Sequence, residues 1–234
     1  MKVQFYVTDI LLVDIVGFST LSTKDQYKTA IVMTQNLKET VSILTGQSFR
    51  EEREVILGFI PTGDGFYVLL HPEMAGYGLF LGLSLRSSIL LASKRAGNLF
   101  KGVRVSVHLG ETVPFRDITG QENYIGDGLN DAARLLKAQT SQSPDVGIPT
   151  DDNFIIISEE AYAQFEKAYP ATLQMKQFLQ TIQYKRGNLF EIIDKHGKTH
   201  RACFVECSRF VAVKPLPPPD LHERLKRIAE NSCS

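Results

Sequence analysis

Two aspartates of the chain each stand beside glycines at the end of an apolar segment. Asp14 ends the apolar run that begins at Leu11, and Asp64 stands between Gly63 and Gly65. A carboxylate at the end of an apolar strand is costly to bury unless it is paired or binds a cation. Carboxylate oxygens suit Mg²⁺ and Mn²⁺, and a two-metal site suits phosphate chemistry. The pair therefore predicts a divalent metal site that acts on phosphate groups.

Composition limits the classes of protein that the chain can belong to. Its 234 residues, 43% of them hydrophobic, suffice for one large domain or for a domain with an appendage. Lysine plus arginine equals aspartate plus glutamate at 26 each, so no global field attracts nucleic acid or an anionic membrane. The most apolar stretch, 79–92, contains Arg86 and is too short to span a bilayer. We expect a protein that binds neither nucleic acid nor membrane.

The three cysteines all fall late in the sequence, at Cys203, Cys207 and Cys233. A zinc site of the common kinds would need a second cysteine pair or histidines at suitable spacing. The N-terminus has no secretory pattern, and an odd number of cysteines is typical of reduced thiols. We therefore expect a cytoplasmic location.

Hydrophobic periodicity predicts an α+β fold. The order β-α-β-β-α-β favours a ferredoxin-like central sheet, antiparallel or mixed, flanked by helices. We predict one domain at 1–210, followed at 211–234 by a Pro-rich linker and a short amphipathic helix that could pack on a partner. The predicted strands are 5–13, 55–60, 66–70, 103–109, 154–157, 189–193 and 201–205, and the predicted helices are 23–44, 73–96, 127–138, 158–169 and 221–229.

Four segments together resemble the catalytic domain of class III nucleotidyl cyclases. They lie at 13–19, 63–65, 103–110 and 124–135, and they follow the order and spacing of that family. Each segment alone is a weak signal, but four in order are specific. The resemblance spans residues 5–193, and it implies the class III cyclase fold and a two-fold homodimer.

The resemblance also implies which residues carry the chemistry. Asp14, Asp64 and the Ile15 carbonyl would bind two divalent metal ions, Mn²⁺ or Mg²⁺. The ribose 3′-hydroxyl of an NTP would then attack the α-phosphate and expel pyrophosphate. Asn130 would orient the ribose, and Arg134 would stabilise the charge that develops at the α-phosphate.

The family places the metal aspartates and the Asn130/Arg134 pair on opposite sides of a dimer interface. Each site would then be composite, and a monomer would have none. The resemblance further suggests phosphate contacts at two places, the segment Gly17, Phe18 and Ser19 and the basic pair Lys185 and Arg186.

Arg104 and His108 share one face of a predicted strand because their spacing is even. We interpret them as a structural pair that supports a neighbouring strand.

The positions that choose the base in purine cyclases depart from the purine pattern. Ile60 stands where a lysine or glutamate is typical, and Asn123 stands where an aspartate is typical for adenine. Ile60 can form no side-chain hydrogen bond, whereas Asn123 can both donate and accept. The chain thus looks like the bacterial pyrimidine cyclases of the Pycsar anti-phage system. This implies that UTP or CTP becomes cyclic UMP or cyclic CMP, which a separate effector protein senses.

Two other functions remain open from the sequence. One is an adenylyl cyclase with a relaxed base pocket. The other is a degenerate cyclase-homology domain that binds nucleotide or a partner as a regulatory module. Such modules usually lose a metal aspartate or the arginine, yet Asp14, Asp64, Asn130 and Arg134 are all present.

Overall fold

A computed structural model describes residues 3–45, 55–137, 153–168, 182–210 and 220–232. The polar loop predicted at 141–152 and the proline segment at 215–219 lie outside the described residues. The described strands form one mixed sheet in the order β2-β3-β1-β4-β6-β9-β7, with β5 paired to β4 and β8 paired to β9. They are β1 (Tyr6–Val16), β2 (Ile56–Pro61), β3 (Gly65–Leu70), β4 (Gly102–Arg116), β5 (Glu122–Ile125), β6 (Ile155–Ser158), β7 (Ile182–Arg186), β8 (Phe190–Ile193) and β9 (Thr199–Phe210).

Helices cover both faces of this sheet. They are α1 (Thr23–Thr45), α2 (Gly78–Arg95), α3 (Asp127–Leu136), α4 (Glu159–Ala168) and α5 (Leu221–Ser232). The strand pair β4–β6 is parallel and the other pairs are antiparallel. The predicted α+β class, with a central mixed sheet flanked by helices, is confirmed.

Alternation along β1 decides which side chains face which helices. Leu11, Val13 and Ile15 lie in the main apolar cluster with residues of α1, α2 and α4. Ile10 and Leu12 lie in two smaller clusters that contain residues of α3. Asp14 has the parity of Leu12, so its carboxylate lies on the face that α3 covers.

The second long helix begins later than its periodicity predicts. A 3₁₀ turn at Pro72–Met74 comes first, and α2 starts only at Gly78. Gly76 lies between them with φ 93°, a left-handed conformation that ends a helical path. The buried Asp9 carboxylate accepts hydrogen bonds from the Gly76 and Gly78 N–H groups, both at 2.8 Å. It thereby satisfies N–H groups at the start of α2 that would have donated to helix carbonyls if the helix had begun earlier.

Two other differences from the sequence prediction concern strands. β4 extends to Arg116 and pairs with β5, and β7 lies at the sheet edge; neither β5 nor β7 was predicted. Both strands are short, and strands of this length show too little hydrophobic alternation to be recognised from a single sequence.

The C-terminal helix α5 packs against its own chain. Arg224 donates to the Glu73 and Ala75 carbonyls at 2.8 and 3.2 Å, and its guanidinium lies 5.1 Å from the centre of the Tyr77 ring. Ile228 is 1% exposed within the main core. The division at residue 210 remains a prediction, but α5 contacts the preceding domain directly. Among the described helices, none has the length and apolarity needed to cross a bilayer.

Asp9 should make the stability of the protein depend on pH. Burial raises the pKa of Asp9 to about 6, against the lowering effect of its backbone hydrogen bonds. Since the folded-state pKa lies above the unfolded value, the contribution of Asp9 to stability is largest below the unfolded value and is lost as pH rises through about 6. We expect a loss of ~1 kcal/mol in the free energy of unfolding between pH 5 and pH 7.5.

Urea titrations at these two pH values measure this difference, and Asp9→Asn should reduce it. An undiminished pH dependence in the variant would assign the effect to another group.

Candidate active site

The fold brings the two sequence-predicted aspartates together. In the β1–β3 pair, Asp14 lies opposite Gly65, and the Ile15 N–H donates to the Asp64 carbonyl at 3.0 Å. A Cβ on Gly65 would lie 1.8 Å from the Val13 carbonyl oxygen, so no other residue permits this close approach. Asp14 is 7% exposed and Asp64 is exposed. A largely buried and an accessible carboxylate thus meet at one strand end.

Two carboxylates, Asp14 and Asp64, and the guanidinium of Arg104 determine the charge at this point. Burial raises the pKa of Asp14, Arg104 lowers it, and the nearby Asp64 carboxylate raises it further, so the net shift is upward. Two carboxylates that repel each other form an oxygen donor set into which Mg²⁺ or Mn²⁺ fits. Within the described ranges, no group of three His, Cys, Asp or Glu side chains forms a metal site. Further ligands would therefore be water, backbone carbonyls or substrate oxygens.

Arg104 belongs to this carboxylate cluster. Its Nε lies 2.8 Å and its Nη2 lies 2.5 Å from Asp14 Oδ2. His108 shares the strand face, but its Nε2 is 3.9 Å from Asp131 Oδ2. Arg104 therefore supports the neighbouring strand β1, as predicted, whereas His108 faces the helix α3 instead.

The segment after β1 turns sharply beside Asp14. Gly17 has φ 75° and precedes a 3₁₀ turn at Phe18–Thr20, which the Thr20 N–H closes on the Gly17 carbonyl at 3.0 Å. Phe18 packs on the main core, and Ser19 is exposed. The predicted phosphate segment therefore lies at the same end of β1 as Asp14.

Asn130 and Arg134 lie on α3, which is fixed closely to β4. Ser106 Oγ donates to the Ala132 carbonyl at 2.7 Å inside the protein. A Cβ on Gly128 would lie 2.9 Å from the Glu111 carbonyl oxygen, so glycine allows the close contact between helix and strand. Asn130, which the sequence predicted to orient a ribose, is exposed on this helix.

Arg134 does not share its partners with Asp14 and Asp64. Its Nη1 lies 2.5 Å from Asp131 Oδ1, and its Nε lies 2.9 Å from Asp194 Oδ2. Asp14 is paired with Arg104 instead. Within one protomer, the structure thus contains two charged clusters on the same face of the sheet with no common hydrogen-bond or ion-pair partner among the described residues.

The two predicted base-recognition residues lie on neighbouring parts of the structure. Ile60, on β2, packs with the cluster that contains Tyr124. Asn123, on β5, is half-buried, and its Oδ1 accepts the Tyr124 N–H at 2.8 Å. The Tyr124 hydroxyl donates to the Leu57 carbonyl at 2.8 Å and so connects β5 to β2.

The basic pair on β7 is divided between the two faces of the sheet. Arg186 lies 4.3 Å over the Tyr162 ring, on the side of α4. Lys185 alternates with it and so lies on the face of α3. Of the two, only Lys185 shares a sheet face with Asp14 and Arg134.

Sequence reasoning missed three charged residues of these clusters: Arg104 as a partner of Asp14, and Asp131 and Asp194 as partners of Arg134. Asp131 had one available signal, since it precedes Arg134 by three residues on a helix. Arg104 and Asp194 had none, because their contacts depend on strand register and on a distant turn.

Comparisons with known proteins identify the fold. No sequence-family profile and no curated protein sequence matches the chain. Solved structures do match. The guanylyl cyclase Cya2 has a TM-score of 0.59 at 14% identity, covering 93% of this chain and 100% of that one. The guanylate cyclase domain of RhGC from Catenaria anguillulae, in complex with GTP, has a TM-score of 0.56 at 17% identity, covering 88% and 100%.

A third solved structure is the adenylyl cyclase CyaB from P. aeruginosa. Its TM-score is 0.55 at 16% identity, covering 89% of this chain and 98% of that one. At these identities the similarity establishes the fold. The chain has the fold of adenylyl and guanylyl cyclase catalytic domains.

Proposed function

We propose that the chain is a nucleotidyl cyclase that converts a pyrimidine NTP, with UTP preferred, to the 3′,5′-cyclic nucleotide and pyrophosphate. The observation that carries this proposal is the meeting of Asp14 and Asp64 at one strand end of a cyclase fold. In the reaction, the ribose 3′-oxygen bonds to the α-phosphorus and the bond from that phosphorus to the pyrophosphate oxygen breaks. The hydroxyl proton leaves to solvent or base.

Asp14, Asp64 and the Ile15 carbonyl would hold two divalent ions. When bound, these ions lower the pKa of the 3′-hydroxyl and neutralise the leaving pyrophosphate. Asn130 orients the ribose, and Arg134 provides a fixed positive charge where negative charge develops at the α-phosphate. The turn at 17–19 and Lys185 contact the remaining phosphate oxygens.

The active site is shared between two copies of the chain. Within one protomer, Asp14 pairs with Arg104, whereas Arg134 pairs with Asp131 and Asp194. Two clusters without a common partner are what a composite site would show in a single copy. A two-fold homodimer would join the metal half of one protomer to the Arg134 half of its partner, twice.

The geometry of Asn123 favours uracil. A backbone N–H can only donate, so the atom of Asn123 that faces the Tyr124 N–H is its carbonyl oxygen. The amide NH₂ group is left as a donor to the base. It matches the carbonyl oxygen of uracil or guanine and opposes the amino group of cytosine or adenine. Ile60 offers no partner to the donors on the base edge, and guanine has two such donor groups, N1–H and the 2-amino group, whereas uracil has only N3–H. Uracil is therefore the better match.

We further propose that the cyclic pyrimidine nucleotide is a second messenger in bacterial anti-phage defence. A separate effector protein would sense it. This role is supported by the resemblance to the Pycsar cyclases and by the departure of Ile60 and Asn123 from the purine pattern.

The test is a reaction of the purified chain with Mn²⁺ and equal concentrations of ATP, GTP, CTP and UTP, with products identified by mass. We expect cyclic UMP as the main product. Cyclic AMP or cyclic GMP as the main product would retain the enzyme class and refute the pyrimidine assignment. No cyclic product from a folded dimer would favour the regulatory nucleotide-binding module.

Asn123→Asp gives a matched variant for base choice. The new carboxylate has the same shape and can still accept the Tyr124 N–H, but it presents an acceptor to the base. We expect the ratio of UTP to CTP turnover to fall by ~10-fold or more, since one mismatched hydrogen bond typically costs 1–3 kcal/mol. An unchanged ratio would show that Asn123 does not read the base.

A further inference from the structure

Arg134 is held by two carboxylates of its own protomer. Asp131 lies one helical turn earlier on α3, and Asp194 lies in the turn between β8 and β9. The side chains of Asp131 and Asp194 are 7% and 4% exposed, whereas that of Arg134 is 27% exposed. The contacts use Nη1 and Nε of the guanidinium. Among the described residues Nη2 has no partner, so one edge of the guanidinium remains available to a ligand.

The turn that carries Asp194 makes its carboxylate a rigid anchor. Asp194 Oδ1 accepts the N–H groups of His196 and Lys198 at 2.8 and 2.9 Å. The Asp194 N–H closes the turn on the Lys198 carbonyl at 3.0 Å. With Oδ1 occupied by the backbone, Oδ2 faces Arg134. Burial raises the pKa of Asp194, but the backbone donors and the Arg134 charge outweigh it, so the pKa lies below the ordinary value.

Asp131 is balanced by a second cation. Lys198 Nζ lies 2.6 Å from Asp131 Oδ2, opposite the Arg134 contact with Oδ1. Arg134 and Lys198 therefore match Asp131 and Asp194 in charge. Burial lowers the pKa of His108, which adjoins Asp131, so this histidine is neutral near pH 7.

Such a network contributes little net stability, because the desolvation cost of buried charges offsets their attraction. What the network does determine is the orientation of the Arg134 guanidinium. A guanidinium that donates a hydrogen bond to Asp131 and forms an ion pair with Asp194 through a second nitrogen is restricted in orientation, whereas an exposed helical arginine is not. The residue fixed in this way is the one on which the proposed reaction relies for charge stabilisation, where misplacement by about 1 Å can cost 10²-fold in rate.

We propose that Asp194 is a positioning residue that orients the Arg134 guanidinium for the reaction. The proposal rests on the proposed function, whose Arg134 it concerns. Asp194 touches neither substrate nor metal and acts only through Arg134. A positioning role should therefore change kcat and leave the NTP KM and the Mn²⁺ dependence nearly unchanged.

Asp194→Asn tests this with little change of shape. The asparagine carbonyl can still accept the two turn N–H groups, while its amide replaces Oδ2 and repels Arg134. We expect kcat to fall ~10- to 100-fold, with KM within about 2-fold of the wild type.

The matched control is Asp117→Asn. Asp117 accepts the Thr119 and Gln121 N–H groups at 2.8 and 3.1 Å in the β4–β5 turn, and no described arginine pairs with it. This control should retain wild-type kcat. Equal loss in both variants, or a change in KM alone, would overturn the proposal.

Mixed dimers locate the effect within the composite site. A chain with Asp194→Asn should recover activity when paired with an Asp64→Ala chain, since one site then combines an intact metal half with an intact Arg134 half. Paired with an Arg134→Ala chain, it should show no recovery above its own level. Recovery with Arg134→Ala would contradict the assignment of Asp194 to that half.

A measurement without turnover separates this proposal from the proposed function. The ¹⁵N relaxation of Arg134 Nε, assigned by its absence in Arg134→Lys, should report a side chain as rigid as the backbone in the wild type and in Asp117→Asn. It should report a mobile side chain in Asp194→Asn, which lacks the ion pair. If the wild type forms no cyclic product, the proposed function fails while this readout still decides whether Asp194 holds Arg134. Unchanged Nε relaxation in Asp194→Asn would refute the positioning role.

Discussion

Replacement of Asp64 by alanine is expected to reduce cyclic nucleotide formation ~10³-fold or more, because a metal-dependent reaction loses a carboxylate ligand. Asp64 is exposed and lies at a hairpin end, so its carboxylate contributes little to the core. Its only described side-chain hydrogen bond is the one it accepts from Thr62 Oγ1 at 3.3 Å. The loss of turnover should therefore occur without unfolding.

The measurement is cyclic nucleotide yield by mass spectrometry, together with thermal unfolding and size-exclusion chromatography of the same sample. Thr62→Val is the matched control, since it removes the hydrogen bond to Asp64 and keeps the carboxylate. It should retain most activity. Wild-type turnover in Asp64→Ala would exclude Asp64 as a metal ligand.

Asp14→Ala should be equally inactive, but its loss of activity would have two causes. Asp14 is buried and accepts both hydrogen bonds from Arg104. Its removal leaves a half-buried guanidinium without its carboxylate, which costs stability as well as metal ligation. For this reason Asp64→Ala is the better probe of metal binding.

The second large effect is recovery of activity from two inactive variants. Arg134→Ala alone should lower kcat by ~10²- to 10³-fold, as removal of one donor to a developing charge does elsewhere. Mixing Arg134→Ala chains with Asp64→Ala chains should restore activity. In each mixed dimer one composite site combines the intact metal half of one chain with the intact Arg134 half of the other.

A purified mixed dimer, isolated by two different affinity tags, should show about half the wild-type turnover per dimer because one of two sites is intact. Each homodimer of variants should remain at its own low level. No recovery in a verified mixed dimer would mean that Asp14, Asp64 and Arg134 act within one chain, and the shared-site arrangement would be refuted.

The sequence predicted the parts of this site that depend on local pattern. Asp14 and Asp64 each end a strand next to glycine, and the structure places them side by side. Asn130 and Arg134 are four residues apart on a helix, as their spacing predicted. Strand alternation also placed Arg104 and His108 on one face.

The parts that the sequence did not predict depend on register between distant segments. Arg104 contacts Asp14 because β1 and β4 pair in the register that sets these two residues opposite each other. Asp194 reaches Arg134 because the β8–β9 turn lies beside α3. A single sequence does not contain these registers, since shifting a strand by two residues preserves its apolar face and changes every polar partner.

The late start of α2 has a similar cause. Apolar periodicity through 73–96 favoured a continuous helix, yet Gly76 and the Oδ2 acceptor of Asp9, 67 residues away in sequence, decide where the helix begins. Likewise, the amphipathic pattern of α5 suggested packing on a partner, but the helix packs on Glu73, Ala75 and Tyr77 of its own chain.

The ion pair between Arg104 and Asp14 has a consequence for how the protein responds to chelators. In many metalloproteins the ligands repel one another until the ion arrives, so folding itself requires the metal. Here Arg104 already pairs with the buried Asp14 carboxylate, and the Asp64 carboxylate is accessible to solvent. We therefore expect the fold to be independent of metal supply. Under the proposed mechanism, a cell short of Mn²⁺ or Mg²⁺ would retain a folded but inactive protein, and resupply of the ion would restore activity without new synthesis.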